Sequence, residues 1–107
     1  MEFPTVEHAY QAAKTRSMAH RALIRDASTP GKAKGLGKKA TLRPDWENVK
    51  LIVMWNLLHQ KFAPGREEAE MLLATGDAIL IEGNTWNDTF WGVCRGVGEN
   101  HLGLLLM

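Results

Sequence analysis

Apolar residues recur at helical spacing along most of the chain and alternate at strand spacing almost nowhere. The clearest stripe is Val49, Ile52, Val53, Leu57 and Leu58. Arg43-Pro44-Asp45 opens it and Ala63-Pro64-Gly65 closes it, which predicts a helix to about Phe62 with Asp45 as N-cap and Trp55 in the core. A first helix is expected over 5–15, capped by Thr5, and a second over 17–27, capped by Ser17. Thr29-Pro30 marks a third start, although 31–40 is Gly- and Lys-rich and weakly specified. A short helix over 66–74 should stop at Gly76. Residues 79–82 are the best strand candidate, and a last helix begins near Asn100. The expected fold class is mainly α (α+β): a compact helical domain over 1–107 with minor strand content.

The chain has 107 residues, enough for one domain with a modest core. A single cysteine, Cys94, allows no internal disulfide and favours a reducing, cytoplasmic setting. No apolar run approaches the ~20 residues of a membrane helix, so no membrane partner is expected. The net charge of +1 conceals an asymmetry, because 14–43 holds nine Lys or Arg against one acid, Asp26. Such a block suits a phosphate-bearing partner, or simply a solvated face that pairs with the acidic remainder.

Glu7, Tyr10, Gln11 and Lys14 stand at offsets 0, 3, 4 and 7, one face of the first helix. Capping alone would account for Glu7. A partly desolvated Lys14, however, could attack an electrophilic carbon. His8 points to another face and reads as a structural histidine. Trp46 is placed to stack on a planar ligand. Trp86 and Trp91 bracket Asp88, and aromatics around a carboxylate suit a flat base carrying a ribose, although core packing suits Trp86. Gly35-Leu36-Gly37-Lys38-Lys39-Ala40 lacks the preceding strand that a dinucleotide fingerprint needs. His8, His20, His59 and His101 form no metal-ligand spacing, and neither metal nor cofactor is expected.

With these segments assembled, the chain resembles the NADAR family. The resemblance is carried by Phe3-Pro4-Thr5-Val6-Glu7-His8, Arg43-Pro44-Asp45-Trp46, Lys61-Phe62, Leu72-Leu73-Ala74-Thr75-Gly76, Ile81-Glu82, Asp88-Thr89-Phe90-Trp91-Gly92, and Gly98 through Leu106, all in order. It implies cleavage of a C–N glycosidic bond at an anomeric ribose carbon. The substrate would be a phosphorylated riboside, either a riboflavin-pathway ribosylamine or an ADP-ribosylated nucleobase. Nucleic acid would enter only as a modified substrate. By position, Glu7, Lys14 and Asp88 look like the catalytic group, and Trp46, Trp91, Asn100, Gln11 and Arg43 like substrate contacts. Lys14 would serve as nucleophile and Glu7 as proton shuttle. The alternative is a catalytically weak ADP-ribose or nucleotide-binding module.

The family's usual Ser-Asn-Phe segment does not precede Phe3, and the last helix stops early at Met107. The expectation is low activity for this chain alone, or a homodimer whose partner covers the gap.

Overall fold

A computed structural model describes residues 2–107. About half of them are helical, in six helices, with one two-stranded sheet. The chain divides into two compact units, Met1–Lys61 and Phe62–Met107.

The first unit is built from α1 (Val6–Ala13), α2 (Met18–Arg25), α3 (Pro30–Lys38) and α4 (Trp46–Lys61). Thr5, Ser17 and Thr29 cap their helices as expected, accepting hydrogen bonds from the backbone N–H of His8, His20 and Lys32, whereas Asp45, expected to cap α4, gives both carboxylate oxygens to Arg43. Pro30 occupies the first turn of α3, where its missing N–H costs nothing. Helix α1 packs against α2, α3 and α4, so its residues are buried on several sides. Ala12, Ile24 and Ala33 form the core, with Phe3, Ala27 and Leu36 packed around them. Burying a side chain like Ile24 is worth about 2–3 kcal/mol.

The second unit holds α5 (Glu67–Leu73), β1 (Gly83–Asn84), β2 (Val93–Cys94) and α6 (His101–Leu106). The two strands run parallel, with Gly83 opposite Val93 and Asn84 opposite Cys94. The strand expected at 79–82 is displaced to Gly83–Asn84. Ile79 and Ile81 are exposed, and Leu80 and Glu82 are instead pinned by the side chain of Asn100. Two expectations about tryptophans also change. Trp55 is about half exposed and stacks on His59 at 4.8 Å, while Ile52, on the same face of α4, is exposed as well. Trp86 is exposed rather than packed in the core.

Candidate active site

Helix α1 carries the polar array. Gln11 is almost fully buried and donates from Nε2 to Glu7 Oε1 at 2.7 Å. A carboxylate oxygen only accepts, so this bond fixes the orientation of the amide and turns Gln11 Oε1 inward. That oxygen is buried without a hydrogen-bond partner among the described residues. It lies against Gly37 of α3, where an added Cβ would collide with it. Gly37 thus lets α3 approach α1 closely enough to clamp the side chain that holds Glu7.

Lys14 follows the last turn of α1. Helical side chains lean toward the N-terminus, and Lys14 reaches back over Tyr10, its Nζ 5.5 Å from the ring centroid. Glu7 stands one turn further along the same face. Tyr10 in turn meets Trp46 at a centroid distance of 5.1 Å, the rings tilted by 60°. Tyr10 and Trp46 are both about 5% exposed, so Trp46 forms an apolar wall of the site rather than an open stacking platform. Burial holds the Lys14 ammonium below the usual lysine range. The Glu7 carboxylate opposes that shift, and the ammoniums of Lys34, Lys38 and Lys50 reinforce it. Desolvation outweighs the attraction of Glu7, which favours the neutral, nucleophilic amine.

Arg43 binds Asp45 with both arms of its guanidinium, Nε at 2.6 Å and Nη2 at 3.0 Å. Its backbone N–H donates to the carbonyl of Lys14 at 2.7 Å. Arg43 and Asp45 therefore tie the start of α4 to the end of α1, and Asp45 gives its carboxylate to this clasp. His8 is structural, as expected. Its Nε2 meets the carbonyl of Ala27 at 2.9 Å. A carbonyl can only accept, so Nε2 carries the proton and Nδ1 accepts from the Thr5 hydroxyl.

The basic block resolves into two populations. Arg21 donates to the carbonyls of Ala12 and Thr15, Arg25 pairs with Asp26, and Lys32 bonds to Ser28. These close helix ends and local turns. Lys34 and Lys38 join the field around Lys14 instead. That influence on Lys14, shared by Lys50, was not legible from the block's charge alone. Lys34 and Lys38 share one face of α3 at i, i+4, and that spacing is the signal that could have singled them out.

Asp88, Trp91 and Asn100 belong to the second unit. Asp88 Oδ1 accepts from the backbone N–H of Phe90 at 3.2 Å and of Trp91 at 3.0 Å. Asn84, not singled out by its sequence context, brackets the same residue: it accepts from Asp88 N–H and donates to Asp88 carbonyl. Asn84 also donates to Glu82 Oε2 at 3.2 Å. The carboxylate of Asp88 thus sits in a fixed turn. Trp91 packs edge-on against Phe90 at 4.8 Å. Asn100 adopts a left-handed conformation, φ 55°, and commits both ends of its amide to main chain. An apolar cavity of about 350 Å³ in this unit, lined chiefly by Phe62, Met71, Leu72, Leu80 and Leu102, has Glu82 as its one charged lining residue.

The NADAR domain pattern matches residues 1–107. The chain belongs to the NADAR family. It is similar to an N-glycosidase of Nostoc punctiforme, 43% identical over 96% of this chain and 69% of that protein. It is equally similar to the N-glycosidase YbiA of Escherichia coli, 43% identical over 98% of this chain and 67% of YbiA. The NMR structure of YbiA superposes with a TM-score of 0.86 at 42% identity, covering 98% of this chain and 64% of that one. A riboflavin biosynthesis protein of Zea mays, PYRR, is 36% identical over 98% of this chain and 19% of its own length. The chain thus spans about two thirds of the length of its nearer NADAR relatives. Likeness at this level to relatives named N-glycosidases supports a hydrolase of glycosidic bonds.

Proposed function

We propose that this NADAR chain hydrolyses the C–N bond between an anomeric ribose carbon and a nitrogenous base, with a phosphorylated riboside as substrate. The observation that carries the reading is the array on α1. Glu7 is held by a buried amide, and a partly desolvated Lys14 lies on the same helix face.

In the first step the Lys14 Nζ lone pair bonds to C1 of the ribose. The C–N glycosidic bond breaks, and its electron pair goes to the departing nitrogen, which takes a proton from Glu7. In the second step Glu7, now a carboxylate, takes a proton from Nζ and passes it to the ring oxygen as the ring C1–O bond opens, leaving a C1=Nζ iminium. Water adds to that carbon and gives its proton to Glu7; Glu7 then hands a proton to Nζ and takes the hydroxyl proton as the C1–Nζ bond breaks, so that C1 becomes an aldehyde and Lys14 is restored. The sum is one water consumed, one base and one free sugar released. The negative charge that develops on Glu7 as it gives up its proton would stabilise the oxocarbenium character of C1, and Asp88 is the second carboxylate that the family resemblance puts in the catalytic group. Trp46 and Tyr10 exclude water from the side of Lys14, which strengthens these electrostatic effects.

Likeness to the riboflavin protein favours a pyrimidine-like ribosylamine phosphate over an ADP-ribosylated nucleobase. The test is a product assay with both substrate types. Released base together with free sugar phosphate supports the reading. Tight binding with no product would favour a nucleotide-binding module instead.

A further inference from the structure

We infer that Gln11 is a positioning residue: it reserves Oε1 of Glu7 as an acceptor and so confines the proton that Glu7 exchanges to Oε2. The inference rests on the N-glycosidase reading for what Glu7 does with that proton. The reservation itself is argued from one hydrogen bond and the packing around it.

The two oxygens of a carboxyl group are equivalent until a neighbour distinguishes them. Gln11 Nε2 donates to Glu7 Oε1 at 2.7 Å, across one turn of α1. When a carboxyl group is protonated, the oxygen that carries the hydrogen becomes the donor and the other stays an acceptor. A donor fixed on Oε1 therefore leaves the proton to Oε2, and the same bond persists when Glu7 is ionised. Glu7 is partly exposed, whereas Gln11 is only 2% exposed. Gln11 thus stands behind Glu7 and acts on a substrate only through it.

The packing keeps this donor in place. The Cβ, Cδ and Oε1 of Gln11 all lie where a side chain at Gly37 would stand, so α3 closes against the length of the glutamine. Turned about its last bond, the amide would set its own oxygen against the Glu7 carboxylate, acceptor against acceptor. The far end of the amide points the same way. Gln11 Oε1 is buried and has no hydrogen-bond partner among the described residues. Buried acceptors are normally paired, so the orientation of this amide is set by its donor on Glu7 and not by its acceptor. The proposed cycle has Glu7 give and take protons at the departing nitrogen, at Nζ and at water. One oxygen that serves every transfer, with the other held still, supplies a constant geometry for all of them.

The test has one arm that needs no turnover. The side-chain amide of Gln11 is followed by heteronuclear NMR of the whole chain as the pH is lowered through the titration of Glu7, with Glu7→Gln as control. The expected result is an amide that exchanges slowly with water, shifts as Glu7 titrates, and stays protected once Glu7 has taken its proton. In Glu7→Gln the pH-dependent shift should vanish. Loss of protection on protonation, or an amide insensitive to Glu7, overturns the inference. The second arm compares leaving groups in Gln11→Met, which fills a similar volume without the donor. For a ribosylamine phosphate, whose base must be protonated to depart, kcat/KM should fall about 10²-fold. For a nitrophenyl riboside phosphate, whose phenolate leaves without a proton, the fall should be much smaller. An equal fall for both substrates would mark Gln11 as a structural residue and overturn the inference. A wild-type chain that cleaves neither substrate refutes the glycosidase reading, and the NMR arm then decides the placement of the proton by itself.

Discussion

At the residue scale, the proposed chemistry turns on Lys14. Its ammonium is disfavoured in the folded chain, because burial outweighs the attraction of Glu7. Replacing it with methionine keeps the aliphatic stem over Tyr10 and removes the charge. Lys14→Met should therefore lower kcat by about 10³-fold or more and raise the Tm. A lowered Tm would show that Lys14 is chiefly a structural cation. The sign of the pH dependence follows from the same shift. A lysine held below its ordinary value of 10.5 is deprotonated, and so nucleophilic, at lower pH than a free one. The rate should rise with pH along a limb that lies below the usual lysine range. In Lys34→Met that limb should move to higher pH, since a repelling charge is gone; a limb that stays in place or moves down would exclude Lys14 from the titration. On the stability side, a depressed lysine leaves the unfolded chain with more bound protons between the two pKa values, so stability rises with pH there.

Asp88 allows a sharper separation of roles. Its Oδ1 holds the N–H groups of Phe90 and Trp91, and asparagine retains that acceptor. Asp88→Asn should melt like the wild type while kcat falls about 10²-fold, the scale of one lost electrostatic stabiliser. Asp88→Ala should lose the turn as well, at about 1 kcal/mol of stability. Unchanged turnover in Asp88→Asn would confine Asp88 to holding its turn.

At the scale of elements, α3 is the instructive case. Three glycines at 31, 35 and 37 argue against a helix, each costing up to about 1 kcal/mol relative to alanine. Thr29 and Pro30 start one nonetheless, and Gly37 is used for close approach to Gln11. The glycines are therefore not equivalent. Gly35→Ala meets nothing within 4 Å and should stabilise the chain by about 0.5–1 kcal/mol. Gly37→Ala collides with Gln11 and should cost about 1–3 kcal/mol, with loss of turnover as Glu7 is released. Thermal melts of the two variants check both signs. This also marks what the sequence could and could not disclose. Caps at Thr5, Ser17 and Thr29 are local signals, and so were legible. The use of Gly37 depends on which helix lies opposite, a tertiary fact. The same holds for α4. Its apolar stripe announces a helix, but not that Ile52 and Trp55 face outward and Trp46 inward. The strand slipped because the side-chain amide of Asn100, 18 residues away, holds the backbone at Glu82.

At the scale of the whole molecule, the first unit, Met1–Lys61, carries Glu7, Gln11, Lys14 and Trp46, and the second, Phe62–Met107, carries Asp88, Trp91 and Asn100. Glu7, Gln11 and Lys14 were legible as one face because a helix imposes that spacing by itself. The lysines whose charge bears on Lys14 come from two other helices, and charge counting alone could not select them. The central claim is that Lys14 bonds to the sugar. The most direct measurement is borohydride trapping during turnover of a pyrimidine ribosylamine phosphate, followed by mass mapping of the protein. A pentose phosphate adduct should appear on the peptide containing Lys14, and on no other lysine peptide. Base release with no adduct at Lys14, or with undiminished rate in Lys14→Met, would contradict the account.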